Sequence, residues 1–154
     1  MTSEQTLLVR SSWPIVATNA DALTRFFYKR LFEIDHSAAT LFADVDMALQ
    51  RKRLEQTLAV VVAALDDPDS LLPAIAALGR RHATYGVEHH HFDSVGEALL
   101  ASLGDTLGDA FTVELRTAWG NAYALIASVM RRALVRAISP SRATTGEIAI
   151  ARTD

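Results

Sequence analysis

At 154 residues, half of them hydrophobic, the chain fits one domain with enough apolar surface for a sizeable core. A net charge of -3 gives no electrostatic footprint for nucleic acid, and the absence of cysteine excludes disulfides, thiolate nucleophiles and thiolate metal sites. The longest apolar run, Leu58 to Leu65, falls far short of the ~20 residues a membrane span needs, and polar Thr2, Ser3, Glu4 and Gln5 leave no signal-peptide pattern, so a soluble, cytoplasmic protein is expected.

The hydrophobic spacing is helical nearly throughout. Thr2 and Gln5 have capping-box spacing and open a first helix to about Ala17, with Leu8, Val9, Trp13 and Val16 inward. Pro14 lacks an N–H and clashes with the Arg10 carbonyl, so it should bend that helix or end it early. Asn19 is placed to cap a second helix over 20–34, which buries Leu23, Phe27, Leu31 and Ile34 with Tyr28 and Phe32 beside them. His36 to Phe42 reads as a short helical turn with Phe42 closing the corner, and Asp44 or Asp46 then caps a long helix reaching Leu65. Its inward stripe of Met47, Gln50, Leu54, Leu58, Val61 and Leu65 is apolar except at Gln50.

Asp66 to Asp69 form a turn, and Ser70 starts a helix in whose first turn Pro73 is tolerated. Leu71, Ile75, Leu78 and His82 follow at spacings of four, three and four, drawing one stripe whose last member is a histidine, and Gly86 is the left-handed stop just beyond. Val87 to Phe92 is a connection in which His89, His90 and His91 form an exposed polar corner. A histidine triplet can bind a surface metal, but no role is assigned to it. Ser94 and Glu97 make a second capping-box pair for a helix with Val95, Leu99, Leu103 and Leu107 inward, which Gly108 ends. Thr112 caps the last helix, which runs to about Ala137 with Leu115, Trp119, Ala122, Ile126, Val129 and Ala133 on one side; Arg131, Arg132 and Arg136 lie on its solvated face. Residues 138–154 are small and polar and read as a frayed tail or a linker.

His82 has two readings on its own: a buried neutral ring with both nitrogens hydrogen-bonded, or a metal ligand. The Leu78 carbonyl, one turn back, is placed to accept from one ring nitrogen and fix the tautomer. Tyr28 and Gln50 are also polar residues on faces that should be apolar, and three such exceptions on three helices suggest one shared site.

The stretches FFYKRLF (26–32), LF (41–42), QRKRL (50–54), LGRRHATYGV (78–87), FDSVGEALL (92–100) and AWGNAY (118–123), with the intervals between them, resemble the globin family. They are most similar to bacterial single-domain globins and to the haem domain of flavohaemoglobins. The resemblance implies an all-α fold with helices packed three-over-three around haem b, a domain over 1–137 and the tail over 138–154. It makes His82 the proximal iron ligand, Phe42 the ring stacked on the haem, and Tyr28 and Gln50 the distal pair beside bound ligand. Leu54, Leu78, Val87, Phe92 and Ile126 complete the haem contacts, and Arg80 or Arg81 is either solvated or paired with a propionate.

The implied function is reversible binding of dioxygen and other diatomic gases, carbon monoxide and nitric oxide, at ferrous haem for storage, delivery or scavenging. No catalytic residue, nucleic acid or membrane is implied. Two further activities fit the same residues: a nitric oxide dioxygenase or weak peroxidase fed by a separate reductase, and a haem-based gas sensor whose output module joins through the tail. Two departures bear on these. Where flavohaemoglobins commonly brace the proximal histidine with a tyrosine and a glutamate, this chain has Phe92 and Leu134, and it carries no glycine-rich dinucleotide fingerprint.

Overall fold

The Thr2 capping box forms as its spacing predicts: the Gln5 N–H donates to Thr2 Oγ1 and the Thr2 N–H to Gln5 Oε1, both at 3.1 Å. It opens α1 (Ser3–Thr18) of a computed structural model that describes residues 1–138. The chain continues through α2 (Ala20–Ile34), α3 (His36–Leu41), α4 (Met47–Ala63), α5 (Pro68–Thr84) and α6 (His89–Leu107). A 3-10 turn over Gly108–Ala110 then leads into α7 (Val113–Ile138), and there is no strand among the described residues. The expected tail, apart from Ile138 at the end of α7, lies outside the described residues.

One core joins the helices through Val9, Val16, Leu23, Phe27, Leu31, Ile75, Leu103, Trp119 and Leu134. In it α5 packs on α7, α2 on α6 and α1 on α7, while α4 leans on α1 and α2, which is the all-α, three-over-three arrangement. Burial of Trp119 leaves its indole N–H in need of an acceptor; Ser12 Oγ takes it at 3.0 Å and donates in turn to the Val9 carbonyl at 2.8 Å. No helix among the described residues is long and apolar enough to cross a membrane.

Four expectations are corrected. Of the two outcomes expected at Pro14, an early end does not occur: α1 continues through it to Thr18, with Val9 and Val16 on either side fully buried. The Asn19 side chain does not cap α2; its amide donates backwards to the Ile15 carbonyl at 2.8 Å and closes α1 instead. Helix α5 starts at Pro68, where a missing N–H costs nothing, so Pro73 falls inside the helix rather than in its first turn. Helix α6 starts at His89 instead of near Ser94. The His91 ring accepts from the Glu88 N–H at 2.8 Å and does the capping, while Ser94 Oγ turns to Asp35 and to the His90 carbonyl. His91 is accordingly buried, and the triplet is not a uniformly exposed corner.

Candidate functional site

Tyr28 projects from α2 into an aromatic cluster, with the Phe27, Phe42 and Phe32 ring centroids at 4.9, 5.4 and 6.0 Å from its own. Its side chain is 6% exposed, and from α4 the Gln50 Nε2 donates to the Tyr28 hydroxyl oxygen at 3.1 Å. Because that oxygen is the acceptor, the phenolic proton is left over, and it has no acceptor among the described residues. Burial pushes the Tyr28 pKa up, partly offset by the Gln50 hydrogen bond and the Arg51 charge, so the phenol stays protonated and remains a donor.

His82 stands in the last turn of α5. Gly86, at φ 81°, provides the expected left-handed stop, and a Cβ placed on it would lie 3.7 Å from Leu41 Cδ2, at the end of α3 beside Phe42. The His82 Nδ1 lies 2.6 Å from the Leu78 carbonyl oxygen, which can only accept, so Nδ1 carries the ring proton and Nε2 presents a lone pair. Nε2 makes no hydrogen bond among the described residues. Burial pushes the His82 pKa down, partly offset by the Leu78 hydrogen bond and reinforced by the Arg81 charge, which keeps the ring neutral. A partly buried neutral imidazole with one nitrogen fixed and the other unused is equipped to ligate a metal.

The apolar candidates divide in two. Phe42, Leu54, Leu78, Val87 and Ile126 pack on the core yet each keeps part of its surface uncovered, whereas Phe92 is 5% exposed and belongs to the core itself. The Phe92 carbonyl accepts from the Tyr123 hydroxyl at 2.6 Å, and the Arg131 guanidinium lies 5.5 Å from the Phe92 ring centroid. Tyr28, Gln50 and Phe42 are thus brought together directly, while His82 is paired with Leu78 on α5, and Gly86 just beyond that helix comes near Leu41 at the end of α3. Two surface clefts, of about 510 and 360 Å³, lie along α7 and are lined by none of Tyr28, Gln50 or His82.

Arg51 was not among the expected site residues. Its Nε is buried without an acceptor among the described residues, and its charge bears on Tyr28. One position after Gln50, it points some 100° away from the apolar stripe, so periodicity carries no signal for it.

The globin family model matches residues 25–130. A flavohemoprotein of Rhodopirellula baltica is 35% identical over 132 residues, covering 84% of this chain and 32% of its own length. A flavohemoprotein of Bordetella parapertussis is 35% identical over 134 residues, with 84% and 33% covered. The chain therefore spans about a third of the length of these relatives. Among solved structures, an engineered carbene transferase, a proposed nitric oxide dioxygenase from Rhodothermus marinus, matches with a TM-score of 0.81 at 26% identity over 90% of this chain and 96% of that one. A hexacoordinated heme protein from an anhydrobiotic tardigrade matches with a TM-score of 0.79 at 19% identity over 87% and 95%, a likeness of fold alone.

Proposed function

The chain belongs to the globin family, and from that premise we propose that it holds haem b through His82 and binds dioxygen reversibly, with carbon monoxide and nitric oxide as further ligands. The residues present fit the cofactor. A neutral imidazole with its Nε2 lone pair unused would suit haem iron as a ligand, and the incompletely covered side chains of Phe42, Leu54, Leu78, Val87 and Ile126 would offer a flat apolar group the surface it needs to bury. When bound, ferrous haem supplies the gas-binding iron and lends dioxygen partial negative character.

The observation that carries the proposal is the unspent proton of Tyr28. With its oxygen accepting from Gln50, the phenol still has its proton to donate, and a donor held in a dry aromatic setting favours dioxygen over the less polar carbon monoxide. Gln50 acts on the ligand through Tyr28, by fixing the rotation of the hydroxyl.

A hydrogen bond to a charged group is worth roughly 1.5 to 3 kcal/mol, so its loss speeds release roughly ten- to a hundredfold. Tyr28→Phe is expected to accelerate dioxygen dissociation by that factor, Gln50→Leu by less, and carbon monoxide dissociation is expected to change far less in either. Stopped-flow displacement measures all three. Equal dioxygen off-rates in the parent and both variants would remove the distal assignment.

A second reading, nitric oxide dioxygenase activity fed by a separate reductase, is favoured by the 26% identity to the Rhodothermus marinus protein over nearly the whole of both chains. The same Tyr28 donor serves it, since both activities begin by holding dioxygen.

A further inference from the structure

Asp35 lies between α2 and α3 with its carboxylate held from two sides. Oδ1 accepts from the Ser37 N–H at 3.1 Å and from the Ser37 hydroxyl at 2.5 Å, while Oδ2 accepts from Ser94 Oγ at 3.0 Å and from His90 Nδ1 at 2.9 Å. The His91 Nε2 reaches the same Ser37 Oγ at 3.0 Å. A carboxylate oxygen of Asp35 and one ring nitrogen each of His90 and His91 lie within 4.8 Å of one another, although 55 residues separate Asp35 from His90. We propose that Asp35, His90 and His91 form a binding site for a divalent first-row transition ion, with zinc as its representative.

Two imidazoles and one carboxylate are a donor set that zinc and its neighbours take up, with a fourth position left for water. Bonds of about 2.0 to 2.2 Å place the ligand atoms of a tetrahedral zinc roughly 3.4 Å apart. Asp35 and His90 are already nearer than that, and the separations to His91, none above 4.8 Å, have to close by no more than about 1.4 Å, with His90 half exposed and free to move. Beneath it the Asp35 side chain is 12% exposed and His91 is buried. Ser37 and Ser94 orient the carboxylate whether or not an ion is present, which is the work of outer-sphere partners in a metal site.

The hydrogen bonds of the metal-free form define what the ion displaces. Both ring nitrogens of His90 face carboxylate oxygens, Asp35 at Nδ1 and Glu88 at Nε2, each at 2.9 Å, so both carry protons; the Nδ1 proton leaves to water when the ion takes that nitrogen. His91 ligates through Nε2, its proton passing to Nδ1; the ring gives up both its bond to Ser37 Oγ at 3.0 Å and that from the Glu88 N–H at 2.8 Å, and turns away from the latter. The ion then ties the junction of α2 and α3 to the first turn of α6.

The test is calorimetric titration of zinc chloride into the purified full chain in a non-coordinating buffer, with circular dichroism confirming that each variant is folded. One zinc per chain is expected, with affinity at least tenfold lower in His90→Ala and unchanged in His89→Ala, since His89 is exposed and outside the cluster. X-ray absorption at the zinc edge is expected to count two imidazoles in the parent chain, and its melting temperature is expected to rise with zinc concentration while that of His90→Ala does not. The absence of saturable binding, binding of equal strength in folded His90→Ala, or a zinc spectrum without imidazole would each overturn the proposal.

Discussion

Haem iron calls for a ring nitrogen that is free without any rearrangement and that stands on an inward helical face, and among the five histidines His82 meets both conditions. His36, His89 and His90 are exposed, and the His91 ring is engaged by Glu88 and Ser37. His82→Ala is therefore expected to purify without stable haem, as read from the Soret absorbance per chain; a full complement with an unchanged ferrous spectrum would exclude His82 as the ligand. The partner of His82 sets a second expectation. Its Nδ1–H meets the neutral Leu78 carbonyl rather than a carboxylate, which draws little anionic character onto the ring, so electron donation from the imidazole is modest. Slow peroxide-driven oxidation of a phenolic dye is the expected result, and turnover comparable with a dedicated peroxidase would refute the argument. Of the two residues that replace the bracing pair, Phe92→Tyr is the workable substitution to raise that rate. Leu134 is fully buried, so Leu134→Glu is expected to lower stability before it alters chemistry.

At the scale of the helix, the stripe Leu71, Ile75, Leu78, His82 was legible because four- and three-residue steps suffice to choose a face, and its first two members are buried while His82 falls in the final turn. Helix starts were less legible wherever the cap used unusual chemistry. The His91 ring opens α6 in place of the serine or threonine that marks a start in sequence, and Asn19 has the right side chain but spends it on the helix behind it. The Tyr28–Gln50 contact was anticipated because both residues interrupt apolar stripes, whereas Asp35, Ser37, Ser94 and His90 interrupt none and meet only when α2 packs on α6. Glycine separates packing from propensity in the same way. A Cβ on Gly79 would come within 2.7 Å of the Met130 carbonyl oxygen and 2.8 Å of the Ala133 Cβ, so α5 and α7 approach closely just beside Leu78. Gly79→Ala is expected to force them apart and destabilise the fold by about 1 to 3 kcal/mol. Gly120, within α7, has nothing within 4 Å of such a Cβ, and Gly120→Ala is expected to stabilise by about 0.5 to 1 kcal/mol. Urea denaturation of the two variants decides both: stabilisation by Gly79→Ala would show that helix propensity, not the contact between α5 and α7, governs Gly79, and destabilisation by Gly120→Ala would refute the expectation there.

For the whole molecule, what matters is which steps of a reaction these 154 residues can support. The globin family model covers residues 25–130, and the chain spans about a third of the length of the flavohemoproteins it resembles. Conversion of nitric oxide and dioxygen to nitrate consumes one electron per turnover, and that electron has to be resupplied before the next. Binding a nicotinamide dinucleotide in the usual way needs a glycine-rich turn between strand and helix, and no two of the seven glycines here stand in the G-x-G spacing such a turn requires. Nor is there a strand among the described residues from which that turn could spring. On the second reading, nitric oxide dioxygenase activity, this chain is expected to form nitrate for a single turnover when mixed with nitric oxide, dioxygen and NADH, and to continue only when a separate reductase is added. Nitrate measured against haem distinguishes the cases: sustained formation with NADH alone would mean that the chain takes electrons from the dinucleotide directly, by a route that neither its glycines nor its helices provide.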